Sequence, residues 1–320
     1  MIPSLRELEA AAAIVHGVIP PTPQYAWPLL KEALGSEVWV KHENHTPIGA
    51  FKLRGGLVYF DHLARGQRPS GVISATRGNH GQSVGFAARR HGFAATIVVP
   101  KGNSVEKNAA MRALGVELIA TGEDFQAARE CAERLGKERG LHAIPPFHEH
   151  LVAGVGSYGL EFLRAVPELD VVYVPIGMGS GACGLIAARE ALGLKMEIVG
   201  VTSAHARAYA LSFAAQRALE APVSTRLADG MACRAPHPQA LEVLWRHLAR
   251  IVEVSDAQVA DAMRLFFVAT HNTAEGAGAA GLAAAMQERS RLAGKKVGVV
   301  LSGGNVDREL FREVLAEPRA

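Results

Sequence analysis

Short runs of β-branched residues alternate with longer alanine-rich stretches along most of this chain, and this alternation restricts its fold more than any other feature. Most of the runs are apolar throughout, as expected for strands that helices cover on both faces. The sequence therefore predicts an α/β fold with two open, mostly parallel sheets flanked by helices. The predicted strands are residues 38–41, 71–75, 95–99, 117–120, 171–175, 197–201 and 296–301.

The length of 320 residues exceeds what one hydrophobic core supports, so we expect two domains. Turn signals at 65–71 and 141–146 bracket three of the predicted strands. We therefore expect a smaller domain at residues 66–149, inserted in a larger one formed by 1–65 and 150–320. A ligand cleft between the two is expected. Because only a short tail follows the last predicted strand, we expect no appended regulatory domain.

The net charge, the apolar stretches and the cysteines of the chain indicate what kind of molecule it binds and in which compartment it works. The net charge is +3 without long single-sign runs, and the longest apolar stretch, residues 276–286, is too short to span a membrane. The three cysteines show no paired spacing, which favours a reducing compartment. We therefore expect a cytoplasmic protein whose partner is a small molecule, not nucleic acid or a membrane.

A glycine-rich turn at residues 177–181 follows the predicted strand 171–175 and precedes a helical stretch. Such a turn presents several backbone N–H groups at the positive end of a helix, which suits a phosphate. One alternative is a tight turn whose glycines only permit close packing. The spacing Gly179-x-Gly181-x-x-Gly184 also fits a dinucleotide site, and with Arg207 it leaves an NADP-linked oxidoreductase as an alternative.

Two other motifs are weaker. Gly81-Gln-Ser83-Val-Gly85 has the spacing of a hydrolase nucleophile turn, but Ser83 lies eight residues beyond the preceding strand. The segment His148-Glu149-His150 lacks the spacing of a metal site, and we predict no metal.

Lys52 lies between Phe51 and Leu53, at the end of a glycine-containing loop and the start of a helical stretch. An apolar setting lowers the pKa of a lysine and makes it a nucleophile near neutral pH. Taken alone, such a lysine is more often a solvated surface residue.

Three further motifs accompany this lysine. The run Lys-x-Glu-x-x-x-Pro-x-x-x-Phe-Lys-x-Arg-Gly at 41–55 is followed by Thr-Arg-Gly-Asn-His-Gly-Gln at 76–82, the glycine turn, and Leu-Ser-Gly-Gly-Asn-Val-Asp at 301–307. In order and spacing these blocks resemble the pyridoxal-phosphate enzymes related to threonine dehydratase and serine racemase, from about Thr22 to Asp307.

The resemblance implies pyridoxal phosphate as the cofactor, bound to Lys52 through a Schiff base in the larger domain, with the smaller domain closing over the substrate. It implies that Asn79 binds the ring oxygen and that Ser302 faces the pyridine nitrogen. A homodimer is also implied. The implied phosphate-binding residues are Gly177, Met178, Gly179, Ser180 and Gly181, and the implied substrate-binding residues are Thr76, Arg77, Gly78, Asn79 and His80.

By the same resemblance the chain is a carbon–nitrogen lyase. The freed Lys52 amine removes the Cα proton of a β-hydroxy amino acid, the β-hydroxyl leaves as water, and a 2-keto acid and ammonia result. L-threonine or L-serine is the expected substrate, and phenylserine and 3-hydroxyaspartate are the alternatives. Since Lys52, Asn79 and Ser302 are all present, a relative without activity is disfavoured.

The chain departs from the family at three places. Arg77 replaces the serine that acts as a second base in racemases, which argues against racemisation. Its side chain points either into the cleft or outward, and we favour outward. Residues 200–207 carry no carboxylate, so no Mg²⁺ or Ca²⁺ dependence is expected there. Residues 154–158 replace a common Gly-Gln-Gly-Thr, so the shape of the substrate pocket does not carry over from the family.

Overall fold

The computed structural model describes residues 2–66, 68–123 and 125–316 and contains two sheets. The six-stranded sheet has the order β1-β2-β10-β7-β8-β9, and the four-stranded sheet has the order β5-β4-β3-β6. The strands are β1 Gln24–Ala26, β2 Glu37–His42, β3 Gly71–Ala75, β4 Ala94–Val99, β5 Glu117–Ala120, β6 His142–Ala143, β7 Val171–Pro175, β8 Glu197–Ser203, β9 Arg250–Val254 and β10 Lys296–Leu301. All pairings are parallel except that of β1 with β2.

Thirteen α-helices connect these strands within the described residues, together with two short 3₁₀ helices, Asp229–Met231 and Arg289–Arg291. The α-helices are α1 Leu5–His16, α2 Pro28–Leu34, α3 Lys52–Arg65, α4 Asn79–His91, α5 Val105–Ala113, α6 Phe125–Arg139, α7 Glu149–Ala165, α8 Ser180–Ala191, α9 Ala208–Ala215, α10 Pro238–His247, α11 Asp256–Thr270, α12 Gly276–Gln287 and α13 Arg308–Ala316. In the described part of the chain, no helix combines the length and apolar character needed to cross a membrane.

Local sequence signals set several helix ends. Ser4 and Glu7 form a reciprocal capping box at the start of α1, and Ser255 and Gln258 form another at the start of α11. These side chains bond N–H groups that have no partner within the helix. Helix α4 ends at His91 and is followed by Gly92, whose φ of 73° is left-handed and is adopted readily by glycine.

Helices cover both faces of each sheet. Helices α2, α11, α12 and α13 pack on one face of the six-stranded sheet, and α1, α7, α8 and α10 contribute to the core on the other. Helices α4 and α5 lie against one face of the four-stranded sheet, and α6 lies against the other. The central strands β7, β8 and β10 are therefore buried along nearly their whole length, which confirms the interpretation of uninterrupted apolar runs as strands between helical layers.

The structure confirms the predicted α/β class and every predicted strand. The strands β1, β6 and β9 were not predicted; β1 and β6 have only three and two residues. The domain boundaries at 65–66 and 149–150 remain a prediction. Of the ranges assigned to the two domains, residues 1, 67, 124 and 317–320 lie outside the described part of the chain.

A buried ion cluster fixes helix α3, which carries the predicted reactive lysine at its first position. Arg54 has no exposed surface and donates from Nε to Glu43 Oε2 over 2.7 Å and from its terminal nitrogens to both carboxylate oxygens of Glu161. Lys41 donates to Glu161 Oε2 over 2.6 Å. Two cations thus face two carboxylates, which compensates each charge for its loss of hydration. The cluster joins β2, the loop after it, α3 and α7.

Candidate active site

The loops after β2, β10 and β7 meet at one edge of the six-stranded sheet. These strands are adjacent and parallel, so their carboxyl ends lie side by side. The loop after β2 leads to Lys52, the loop after β10 begins with Ser302, and the loop after β7 is the glycine turn. Ligands of open α/β sheets bind at such an edge. Three of the four sequence motifs are therefore brought together by strand order alone.

Lys52 is half-buried, and its Nζ donates to Ser180 Oγ over 2.9 Å. The same Nζ lies 4.9 Å from the centre of the Phe51 ring. Burial lowers the pKa of Lys52 to about 8 because the charged form loses hydration. An amine with this pKa is partly neutral near physiological pH, as a nucleophile or base requires.

The glycine turn presents backbone donors. Gly179 adopts a φ of 97° as the residue before α8, a conformation that glycine takes without strain. Within the described residues, the backbone N–H groups of 177–181 have no acceptor. These unpaired donors stand at the positive end of α8, which is the arrangement that binds a phosphate.

Two tyrosines fix the backbone of the turn from behind. Tyr158 on α7 donates its hydroxyl to Gly181 O over 2.8 Å, and Tyr209 on α9 donates to Met178 O over 2.9 Å. Both tyrosines are about 1% exposed. Because the carbonyl of Met178 and the N–H of Gly179 share one peptide plane, the bond from Tyr209 also fixes the direction of that N–H.

The segment 154–158, where the chain departs from its family, contributes to this support instead of lining a cleft. Ser157 is fully buried, accepts from Arg54 and donates to Gly154 O. Tyr158 packs its ring edge against Phe51, with ring centres 6.3 Å apart. Both side chains therefore act on the core around the turn and α3.

Ser302 directly follows β10 and is about 5% exposed. Its carbonyl accepts from the N–H of Phe51 over 3.0 Å, and its hydroxyl lies 3.5 Å from Ala277 O. The residue before Lys52 is thus bonded to the residue that was predicted to face the pyridine nitrogen. Lys52, Ser180 and Ser302 belong to one rigid edge of the sheet.

Asn79 is the first residue of α4 and its amide is held at both ends. The Nδ2 atom donates to Glu275 Oε1 over 2.5 Å, and Oδ1 accepts from Asn305 Nδ2 over 2.9 Å. Asn305 is itself anchored through Nδ2 to Ile48 O over 2.7 Å. An amide has two donor hydrogens, so one N–H of Asn79 remains for a ligand.

Residues 76–78 form the turn before α4, and His80 is the second residue of that helix. Thr76 Oγ1 accepts from the N–H of Gly78 over 3.0 Å, which shapes the turn. The side chain of Arg77 is half-buried and has no ion pair with any residue that the structure describes. Burial, and then the charge of Lys52, lower the pKa of His80 to about 3, so its ring is neutral. Ser83, the hydrolase candidate, lies inside α4 and donates to Lys52 O over 2.6 Å, away from any strand end.

Three charged residues beside this turn were not identified from the sequence. Lys107 on α5 donates from Nζ to Asp229 Oδ2 over 2.7 Å and lies 3.2 Å from Glu275 Oε2. Glu275 is about 2% exposed and directly precedes the long apolar stretch of 276–286, which is the one sequence signal of its burial. Nothing in the sequence distinguishes Lys107 from a surface lysine. Among the residues described, no group of three or more His, Cys, Asp or Glu is arranged to hold a metal ion.

Comparisons with known proteins identify the family. Residues 15–303 match the family model described as "Pyridoxal-phosphate dependent enzyme". The chain belongs to this family. It is 32% identical to the L-threonine ammonia-lyase of Thermotoga maritima over 98% of this chain and 78% of that protein. Among solved structures, the threonine deaminase from T.th. is 33% identical with a TM-score of 0.89, covering 95% of this chain and 99% of that one. Maize serine racemase is 27% identical with a TM-score of 0.91, covering 98% and 97%.

Membership confirms the predicted cofactor and gives no support to the oxidoreductase alternative. The residues of this pyridoxal-phosphate enzyme fit the cofactor. The unpaired N–H groups of 177–181 suit a phosphate, and a half-buried lysine with a pKa of about 8 suits a Schiff base with an aldehyde. The free N–H of Asn79 suits a ring oxygen.

Proposed function

We propose that this enzyme converts L-threonine to 2-ketobutyrate and ammonia and also accepts L-serine. The comparisons confirm the sequence-based prediction of a carbon–nitrogen lyase of the threonine dehydratase type. One geometric observation carries the proposal: Lys52 Nζ lies 2.9 Å from Ser180 Oγ, beside the unpaired N–H groups of the glycine turn. A partly neutral amine thus stands where the aldehyde of a phosphate-anchored cofactor would meet it.

When bound, pyridoxal phosphate withdraws electrons from the substrate and makes its Cα proton acidic. Lys52 would hold the cofactor through its amine, and the same amine, when free, would take the Cα proton of the substrate. The hydrogen bond to Ser180 orients the amine, and the lowered pKa keeps part of it neutral. The same group thus binds the cofactor and moves the proton.

We propose that the turn at 76–80 binds the carboxylate of the substrate, through Thr76, Arg77, Gly78, Asn79 and His80. The turn precedes the positive end of α4, which favours a carboxylate. The neutral ring of His80 contributes no charge of its own, so the preference depends on backbone and hydroxyl donors. Because the β-substituent is not part of this contact, the turn itself does not select threonine over serine.

Ser302 and Asn79 are proposed to bind the ring of the cofactor. A hydroxyl at position 302 does not ionise, so it leaves the pyridine nitrogen largely without a proton and the ring a weaker electron sink. This setting favours rapid loss of a β-substituent over accumulation of a carbanion. The phosphate is assigned to Gly177, Met178, Gly179, Ser180 and Gly181.

We also propose a homodimer. Five large apolar side chains are between about 36% and 52% exposed, and they lie on β1, α2, α11 and α13. Helix α11 contacts both α2 and α13, and β1 lies directly before α2 in the chain. Exposed apolar groups so placed suit an interface with a second copy. The residues are Tyr25, Leu29, Phe267, Val268 and Leu315.

A cytoplasmic location is likewise proposed, on the grounds of three free cysteines.

Two assays test the function. The purified enzyme loaded with pyridoxal phosphate is expected to release equal amounts of 2-ketobutyrate and ammonia from L-threonine. Borohydride reduction followed by peptide mapping is expected to place the pyridoxyl label on Lys52. A label on another lysine, or conversion of L-serine to D-serine without a keto acid, would overturn the assignment.

A further inference from the structure

A chain of polar contacts outside the proposed catalytic groups ends on Asn79. It runs from Asp229 to Lys107 over 2.7 Å, from Lys107 to Glu275 over 3.2 Å, and from Glu275 to Asn79 over 2.5 Å. Lys107 belongs to α5, which packs with the four-stranded sheet, whereas Glu275 precedes α12, which packs on the six-stranded sheet. The chain therefore connects the two sheets beside the site.

Lys107 and Glu275 are both buried, so each charge strongly affects the pKa of the other. Lys107 is about 6% exposed and Glu275 about 2%. Burial would lower the pKa of Lys107, but Glu275 and Asp229 outweigh it and raise the pKa, so the ammonium stays charged. Burial raises the pKa of Glu275, which Lys107 opposes and the charge of Asp229 reinforces. Lys107, 3.2 Å from Glu275 Oε2, is thus the charge beside Glu275 that favours its ionised, accepting form.

Two glycines of the site motifs make room for this chain. A Cβ atom on Gly78 would overlap the Cδ of Lys107, and one on Gly303 would overlap Oε1 of Glu275. Gly78 lies in the proposed carboxylate-binding turn, and Gly303 directly follows Ser302. The close approach of Lys107 and Glu275 to the site therefore depends on the absence of side chains at these positions.

The orientation of the Asn79 amide follows from its two partners. An ionised carboxylate only accepts hydrogen bonds, so Glu275 requires Nδ2 of Asn79 on its side. Asn305 donates to the other end and requires Oδ1 there. A protonated Glu275 would also be a donor and would no longer distinguish the two ends of the amide.

We propose that Lys107 is a positioning residue, which keeps Glu275 an acceptor and thereby holds the Asn79 amide with one N–H free for the cofactor. The inference rests on the proposed function, since the contact between Asn79 and the cofactor is itself proposed. Lys107 acts through Glu275 and touches neither cofactor nor substrate in this assignment.

A double-mutant cycle tests it. Lys107→Met, Glu275→Gln and the double variant are compared by the Kd of the apoenzyme for pyridoxal phosphate and by the pH titration of the visible cofactor band. Each single variant is expected to weaken binding by roughly 30-fold, the scale of one lost hydrogen bond to a charged group. The double variant should be no more than about twofold weaker than the single ones, because both changes remove the same effect.

The controls separate positioning from folding. Lys107→Arg keeps the charge and is expected to restore the parent titration curve. Lys101→Met removes a lysine whose ion pair with Glu123 is exposed, and both Kd and spectrum should stay unchanged. Should Lys107→Met not fold, Lys107→Gln takes its place in the cycle. The inference would be overturned if the losses of cofactor affinity in the two single variants multiplied in the double variant. It would also be overturned if Lys107→Met kept the spectrum of the parent.

These measurements remain informative if the proposed reaction is wrong. The Kd and the spectrum are recorded without substrate, so a parent that binds the cofactor but makes no keto acid from L-threonine contradicts the proposed function alone. If the parent makes 2-ketobutyrate but the factors by which the two single variants weaken cofactor binding multiply in the double variant, only the role of Lys107 is contradicted.

Discussion

Lys52 Nζ and Ser180 Oγ lie 2.9 Å apart although 128 positions separate the two residues in the sequence. Each is the first residue of a helix that follows a strand of the same sheet. Because β10 pairs with both β2 and β7, the two helix starts face one another across the end of β10. The contact is therefore a product of strand order.

Replacing Lys52 should change how the stability of the apoenzyme depends on pH. Its pKa is lowered by burial from 10.5 to about 8, so between these values the unfolded chain binds more protons than the folded one. Stability from this group therefore rises with pH over that range. Urea unfolding of the parent and Lys52→Met at pH 8 and pH 10 is expected to show the smaller rise in the variant. An equal rise in both proteins would show that Lys52 is not desolvated.

Removal of Arg54 should destabilise the fold strongly. Arg54→Met leaves Glu43 buried without its cation, and we expect a loss of about 3 to 5 kcal/mol in the free energy of unfolding. Arg134→Met, which removes an exposed pair with Glu138, is the matched control and should leave the free energy of unfolding nearly unchanged. Urea denaturation measures both changes. Equal losses in the two variants would contradict the importance of burial.

The buried ion cluster of Arg54, Lys41, Glu43 and Glu161 should also make the stability of the fold sensitive to acid. Burial would raise the pKa of Glu161, but the charges and hydrogen bonds of Arg54 and Lys41 outweigh it and lower the pKa to about 2. The folded pKa is below the unfolded value of 4.5, so this stability is present above pH 4.5 and lost as the pH falls toward 2. Glu161→Gln is expected to be less stable at pH 7 and to lose less stability on acidification. A variant that loses as much as the parent would refute this account.

Ser302→Asp should change the electronic state of the cofactor. A carboxylate beside the pyridine nitrogen favours its protonation, which stabilises carbanions and is expected to slow elimination relative to side reactions. Stopped-flow spectra and the rate of keto acid formation measure both effects. Ser302→Ala is the control that removes the hydroxyl without adding charge. If Ser302→Asp retains the parent rate and spectrum, residue 302 does not contact the ring.

Arg77→Ala tests the direction of the Arg77 side chain. We expect similar changes of kcat/KM, below about threefold, on threonine, serine, phenylserine and hydroxyaspartate, because an outward guanidinium contacts no β-substituent. An inward guanidinium would bind the second carboxylate of hydroxyaspartate. In that case hydroxyaspartate turnover alone would fall on the order of 100-fold.

Much of the fold was predictable because the central strands are buried on both faces and read as uninterrupted apolar runs. Strand β1 escaped prediction because it has three residues at the sheet edge, and β9 because Arg250 and Glu253 interrupt its apolar pattern. The residues proposed to touch the cofactor, such as Lys52 and Ser302, lie in recognisable motifs. Lys107 and Asp229 do not, since their importance comes from a tertiary contact between residues 122 positions apart.

The pairing of β2 with β10 also dictates when the site forms. Among the strands that the structure describes, the neighbours of β2 are β1 and β10, and β10 begins at residue 296. On the ribosome, the segment carrying Lys52 therefore waits for the synthesis of residue 296 and those after it before its strand is enclosed. The loop closure is costly and slow compared with local pairing. Until then the apolar residues of β2, which are Val38, Trp39 and Val40, stay exposed, so the nascent chain should depend on chaperones.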